Sequence, residues 1–280
     1  MGAPMAARVL AAGHELCVYN RTPARADALV AAGAKRGRTP REAASGAEFV
    51  ISMVTDAAAA DAMYRGEHGA LSGATDGAVA IEMSTIGPAA ARLLATAAAA
   101  KGVVFIDAPV SGSTAMAQSG QLTTMVGGPV AEFERARPVL AAMTRLQLHL
   151  GEVGAGATMK LALNTIIALT NQAIAECLVL AGAAGIDAST AYDVLEHSAV
   201  ASPFVGYKRA AFLAPQVAAA AFSTDLMRKD LSLAMALASE LGVAMPATSA
   251  TAAALAAASA SGYGESDISA VALTLRPSHE

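Results

Sequence analysis

The chain is short of charge: Asp, Glu, Lys and Arg make up 15% of its 280 residues, and the net charge is −4. That leaves no basic stripe to neutralise phosphates, so no nucleic-acid partner is expected. Cysteine is scarce as well. Cys17 and Cys177 lie far apart, make neither a disulfide framework nor a metal site, and read as small buried hydrophobes of a reducing, cytoplasmic protein. His14, His68, His149, His197 and His279 never fall at metal-ligand spacing, so no metal is expected. An uninterrupted apolar run is also missing. The stretch from Leu161 to Ile186 is hydrophobic, but Asn164, Thr165, Thr170, Asn171, Gln172 and Glu176 interrupt it, and lipid would leave those groups without water. It reads as a helix buried between protein surfaces, with no membrane role. The N-terminus has no basic start and carries Arg8 in its apolar stretch, so no secretory leader is expected.

What is present begins inside a motif. Met1-Gly2-Ala3-Pro4-Met5-Ala6 reads as the last third of a glycine-rich dinucleotide-binding turn. Ala6, Val9, Leu10 and Ala12 follow at helical spacing, Gly13 supplies a stop, and Glu15 to Tyr19 reads as a buried strand ending at Asn20-Arg21-Thr22. In a Rossmann unit the third glycine of G-x-G-x-x-G lets this helix pack close to the sheet, and Gly2 is placed to be that glycine. The residue facing the adenosine ribose should lie about 20 positions on, where Asn20, Arg21 and Thr22 stand. With no acid there and with Arg21 able to fork onto a phosphate, the tip favours NADP, with NAD possible. The alternative is that Arg21 is a solvated loop cation. The first strand and two phosphate-facing glycines are missing on this reading, and the native chain is expected to start about a dozen residues upstream.

The length suits two domains. Strands are expected at Glu15 to Tyr19, Phe49 to Met53, Val79 to Glu82, Val104 to Asp107, Thr123 to Val126 and Leu146 to Leu150, with helices at Ala24 to Ala32, Ala57 to Met63, Pro88 to Ala100 and Ala131 to Met143. That alternation signals a parallel sheet covered by helices. After Gly151 it stops, and from about Gly156 the pattern is helical, broken at Gly185, Ser202-Pro203, Pro215, Gly242 to Pro246 and Gly262-Tyr263-Gly264. The expected architecture is an α/β Rossmann domain over 1–153, lacking its first strand, followed by an all-α domain over 154–280. Its first helix, from Ala157 to about Ala184, should run roughly 40 Å. Small and apolar residues all round it suggest cover on every side, which fits a homodimer or homotetramer with the helix in the interface.

Three further stretches carry candidate chemistry. Asp107-Ala108-Pro109-Val110-Ser111-Gly112-Ser113 leaves the carboxyl end of a strand, where open α/β sheets bind ligands, and can offer a hydroxyl and backbone N–H groups to a carboxylate. The alternative there is an ordinary strand exit. Gly151 to Lys160, followed by Asn164, puts an ammonium and an amide on one helix face. A buried lysine is costly unless solvated or paired, which argues that Lys160 faces a cleft; the alternative is a lysine that snorkels to solvent. Asp225 to Ala234 is a dense charge cluster and reads first as a solvated face.

Taken in order, these stretches resemble the β-hydroxyacid dehydrogenase family, which includes 3-hydroxyisobutyrate dehydrogenases, tartronate semialdehyde reductases and glyoxylate/succinic semialdehyde reductases. The matching pieces also include Met83-Ser84-Thr85-Ile86, Gly120-Gln121-Leu122, Gly127-Gly128, Lys229-Asp230-Leu231 and Gly264 to Val271, so the likeness spans nearly the whole chain. It implies an NAD(P)-dependent hydride transfer to or from a small carboxylate substrate, with Lys160 as the catalytic residue, Asn164 orienting the substrate, and Ser111 and Gly112 holding its carboxylate. It further implies Thr85 near the nicotinamide, Met53 and Val54 along the cofactor, and Lys229 at the closing side of the cofactor site. Ser113 stands where many members have a second glycine, and the Gly112-Ser113 pair is similar to the glyoxylate/succinic semialdehyde branch. Imine reductases share the fold and the Asn-Arg-Thr tip but typically lack the lysine kept here. Decarboxylating 6-phosphogluconate dehydrogenases carry a histidine where this chain has Leu163. A dinucleotide-binding scaffold that has lost catalysis is the alternative from a different class.

Overall fold

The computed structural model describes residues 1–275, so His279 lies outside the described residues. The chain divides into two compact units, Met1–Lys160 and Leu161–Glu280. In the first, α1 (Gly2–Ala11) precedes β1 (Cys17–Val18), α2 (Asp27–Ala31), β2 (Lys35–Arg36), α3 (Pro40–Ala44), β3 (Phe49–Ser52), α4 (Ala57–Arg65), β4 (Val79–Glu82), α5 (Pro88–Ala99) and β5 (Val104–Asp107). There follow β6 (Val110–Ser111), α6 (Thr114–Gln118), β7 (Leu122–Gly127), α7 (Val130–Ala141) and β8 (Thr144–Gly151). Strands β1 and β2 form a two-stranded parallel sheet, and the other six form a second sheet in the order β3-β4-β5-β7-β6, with β8 on β7. β3, β4 and β5 are parallel neighbours, and the register places Ser52 beside Glu82 and Glu82 beside Asp107.

Strand periodicity explains the two cores. Successive side chains point to opposite faces, so Val79, Ile81 and Ile106 join Met5, Val9, Phe133 and Leu140 under α1 and α7. Ala80 and Phe105 face the other way, among Tyr64, Ile86, Ala91 and Leu94 of α4, α5 and the loop between β4 and α5. Each large side chain fully buried in this way contributes about 1.5–3 kcal/mol. A sheet covered on both faces needs near-continuous apolar strands, which Val79-Ala80-Ile81 and Val104-Phe105-Ile106 supply.

The second unit is helical: most of α8 (Ala155–Ala183), then α9 (Ala188–Glu196), α10 (Pro203–Leu213), α11 (Thr224–Glu240), α12 (Pro246–Ala258) and α13 (Val271–Thr274). Side chains of Asp187, Ser202 and Ser223 cap three of these helices, satisfying N–H groups that otherwise lack partners. Its core joins Ile174, Leu178, Tyr192, Phe204, Phe212, Met227, Leu231 and Leu255. A buried ion pair crosses it, with Lys208 Nζ 2.6 and 2.8 Å from the Asp267 oxygens. Asp267 also accepts from the backbone N–H groups of Ala221 and Ser269, at 3.1 and 3.0 Å.

Helix α8 is long and apolar enough to cross a bilayer by length and composition. Protein groups meet its polar residues instead: Asn171 Nδ2 donates to the Ile268 carbonyl at 2.9 Å, and Gln172 to Glu176 at 2.8 Å. The single chain leaves one face of this helix open: Ala162, Ile166, Ala173, Cys177 and Leu180 are exposed along it, Ile166 at 58% and Leu180 at 74%. Of the two cysteines read as buried, Cys17 is half-buried, which corrects that reading, and Cys177 is exposed in the single chain. β2, β6, α3 and α6 were not among the expected elements; they are two to five residues long, too short to show a period.

Candidate functional site

The carboxyl ends of β3, β4 and β5 carry Ser52, Glu82 and Asp107 in one row, all buried. The segments that leave these strands hold several of the expected site residues. After β3, Met53 and Val54 turn away from the sheet, and the Val54 N–H donates to Ser84 Oγ at 2.7 Å. After β4, the Ser84 N–H donates to Glu82 Oε1 at 2.7 Å. Thr85 follows, half-buried. Glu82 therefore ties the two loops together through Ser84.

Glu82 is fully buried, and that burial lifts its carboxyl to about 7. The Ser84 donors pull it down, while the neighbouring Asp107 adds to the rise. Tyr64 packs beside it, and burial raises that phenol as well.

After β5, Thr124 Oγ1 donates to the carbonyls of Ala108 and Pro109 at 2.7 and 3.1 Å, which pins the exit toward Ser111. Ser111 ends β6, half-buried. Gly112 has φ +135°, a conformation that strains any side chain, and a Cβ there would come 2.7 Å from Leu122 Cδ2 and make it shift. Ser113 accepts the Met116 N–H at 3.3 Å as the cap of α6. Its hydroxyl therefore has a structural partner in addition to the substrate role expected of it.

Asp107 does something its place in the motif did not announce. Its Oδ1 accepts the Gly154 N–H and its Oδ2 the Ala157 N–H, each at 2.6 Å, so both oxygens clamp the first turn of α8. Burial raises this carboxyl, while the two donors and Arg92 oppose the rise. The fit is close. A Cβ on Gly127 would lie 2.7 Å from Asp107 Oδ1, and one on Gly156 would run into the Met125 carbonyl. Lys160 stands three residues beyond Ala157 on this helix, half-buried.

In the second unit Asn164, buried, donates through Nδ2 to Asp230 Oδ2 at 2.6 Å, and Lys229 Nζ lies 3.0 Å from Asp230 Oδ1. Two expected site residues thus share one carboxylate, which sequence reasoning had passed over. Asp225 to Ala234 is accordingly not a uniform solvated face: Met227, Asp230 and Leu231 are buried. At the start of the chain, Gly2 opens α1 against Met53, where a Cβ would sit at an ordinary 3.5 Å; the helix approaches the strand exit without excluding alanine. Beyond β1, Asn20 Oδ1 accepts the Thr22 N–H at 2.9 Å, which shapes a tip on which Asn20, Arg21 and Thr22 are exposed. These features suit a dinucleotide: a helix N-terminus, a polar exposed tip and loops at the carboxyl ends of parallel strands.

Comparison with known proteins bears on this arrangement. Residues 1–154 match the family model of the NAD binding domain of 6-phosphogluconate dehydrogenase, and residues 154–275 that described as NAD-binding of NADP-dependent 3-hydroxyisobutyrate dehydrogenase. The NAD-dependent L-serine dehydrogenase of Pseudomonas aeruginosa is 36% identical over 99% of this chain and 95% of its own length. Glyoxylate/succinic semialdehyde reductase 1 of Arabidopsis thaliana is 33% identical over 100% of this chain and 96% of its own. Among solved structures, Mycobacterium tuberculosis 3-hydroxyisobutyrate dehydrogenase with L-serine superposes with a TM-score of 0.86 at 33% identity, covering 99% of this chain and 96% of that one.

Glu82 makes stability depend on pH. Its folded pKa of about 7 exceeds the ordinary 4.5, so its contribution is fully present below about pH 4.5 and is lost as pH rises through about 7, a change of about 3 kcal/mol. Chemical denaturation of wild type and Glu82→Gln across this window should show the wild-type slope and a flatter profile for the variant. Equal slopes would remove Glu82 as the source.

Proposed function

The chain belongs to the β-hydroxyacid dehydrogenase family, and from that premise we propose that it interconverts a small β-hydroxyacid and the corresponding semialdehyde carboxylate, with NADP as the preferred cofactor and Lys160 as general acid and base. The observation that carries this proposal is the pairing of Lys160 and Asn164 one turn apart on α8, a helix whose start is clamped to the sheet by Asp107. Bound NADP(H) supplies or accepts the hydride at nicotinamide C4. Negative charge develops on the carbonyl oxygen during reduction, and the Lys160 ammonium stabilises it and donates the proton. In the oxidative direction the neutral amine takes that proton back. Asp230 holds the Asn164 amide nitrogen, which leaves Asn164 Oδ1 turned away from Asp230 to accept from the substrate hydroxyl. Ser111 and the backbone around Gly112 bind the substrate carboxylate, with Ser113 beside them. Met53, Val54 and Thr85, on loops tied through Ser84, would line the cofactor, Gly2 would approach its phosphates, and Lys229 would be a further cofactor-binding residue. Arg21, exposed on a tip without an acid, would recognise the 2′-phosphate, and Asn20 and Thr22 hold that tip in shape.

We infer further that a second copy of the chain covers α8, in a homodimer or homotetramer. Ile166, Ala173 and Leu180 recur at seven-residue spacing, with Ala162 and Cys177 between them, on the exposed face, the seam by which one helix packs along another. A cytoplasmic location goes with the same proposal, since both cysteines are free thiols.

Three measurements test these assignments. Lys160→Ala should bind NADPH normally while reduction of glyoxylate and of succinic, methylmalonate and tartronate semialdehydes falls roughly 10²–10⁴-fold; near-normal turnover would remove Lys160 from the chemistry. Wild-type NADPH binding with no turnover on any of the four would favour a scaffold. For the cofactor, Arg21→Ala should weaken NADPH binding by about 10–100-fold, the worth of a charge-assisted contact, and leave NADH binding within a few-fold. Equal losses for both cofactors would overturn the 2′-phosphate assignment. Light scattering of Ile166→Lys should show a smaller assembly than wild type, and an unchanged mass would place the contact elsewhere.

A further inference from the structure

We propose that Asp107 is a positioning residue for Lys160: by clamping the first turn of α8 onto the end of β5 it sets where the lysine stands, and so controls the chemical step without touching substrate or cofactor. This rests on Lys160 being the acid of the reaction. Three observations converge on Asp107. Its two oxygens are divided between the N–H groups of Gly154 and Ala157, both at 2.6 Å. The pair spans the helix start from Gly154 to Ala157, so the carboxylate fixes both the position and the rotation of the first turn. The surroundings leave little slack, because Gly127 and Gly156 have no room for a Cβ against Asp107, Glu152 and Met125. Finally, Thr158 Oγ1 donates to the Gly154 carbonyl at 2.7 Å, which closes the same turn from the other side.

The geometry extends from there by helix regularity. Lys160 follows Ala157 by three residues, less than one turn of about 5.4 Å, so a rotation or shift of the first turn passes to its Cα almost undiminished. A misplacement of about 1 Å at a reacting group costs on the order of 10²-fold in rate. A surface cap would stabilise a helix in the same way but would not register it, because an exposed turn can relax. Here both partners are buried, and the carboxylate is itself held in a strand that pairs with β4 on one side and β7 on the other.

Asp107→Asn tests this with minimal change of shape. An amide can accept one N–H but presents its own N–H₂ to the other donor, so the clamp loses one arm. The readouts are kcat, KM for the semialdehyde, the NADPH dissociation constant, and the primary isotope effect with deuterium at nicotinamide C4. The expected result is a kcat lowered by about 10–100-fold, with KM and cofactor affinity within about threefold and an isotope effect larger than wild type, because the chemical step now limits turnover. Unchanged kcat and isotope effect in a folded variant would overturn the proposal. A fall in NADPH affinity with no change in isotope effect would overturn it as well, making Asp107 a support of the cofactor loops.

Ala157→Pro gives a second approach. It removes the Oδ2 donor within the first turn, where proline is best tolerated, and should move kcat and the isotope effect the same way. Loss of folding in both variants would make the clamp a requirement of the fold and overturn a positioning role. Lys160→Ala separates the two levels: normal turnover there defeats the assignment of Lys160 itself, whereas slow Lys160→Ala beside normal Asp107→Asn defeats only this inference.

Discussion

A single carboxylate joins the end of a central strand to the start of the longest helix. The two N–H groups that Asp107 accepts are among those a helix leaves unpaired at its N-terminus, and hydrogen bonds to a charged acceptor are worth about 1.5–3 kcal/mol each. Much of the surrounding sequence follows from that contact. Gly127 and Gly156 are glycines because strand and helix backbones meet there. Gly154, with φ +97°, turns the chain so that its N–H faces the acid.

The row formed by Ser52, Glu82 and Asp107 puts polar groups where a parallel sheet would otherwise be apolar. Burying them is costly, and the cost is carried in different ways. Burial raises both carboxyls; at Asp107 two backbone donors from the helix start oppose the rise, whereas Glu82 is lifted to about 7. Ser84 converts that local arrangement into order at a distance, since its hydroxyl receives the Val54 N–H. The loops after β3 and β4 are therefore set relative to one another by buried groups.

The strands Val79–Glu82 and Val104–Asp107 were legible because four consecutive residues, buried on both faces, leave a continuous apolar signature ended by an acid. The helix Ala155–Ala183 was legible from its length of unbroken pattern. Lys35–Arg36 was not, since two exposed basic residues say nothing of pairing. Lys160 and Asn164 could be singled out as polar interruptions in an apolar turn. Asp230 could not, because charge runs look alike in sequence whether or not one member turns inward, and it takes the facing Asn164 to show which does. Glu82 and Asp107 were visible as strand ends, but the hydrogen bonds of Asp107 reach residues 154 and 157, and a contact across some fifty positions has no local signature.

The ion pair between Lys208 and Asp267 also bears on how the helical unit holds together. Its partners are 59 positions apart, and Asp267 gathers the loop at Ala221 and the turn at Ser269 around the same carboxylate. Without Asp267 the ammonium on α10 loses this counter-charge, and burying it alone costs several kcal/mol. The helix that carries Lys208 and the turn that carries Asp267 are therefore coupled, so that loosening either one exposes or strands the charge on the other.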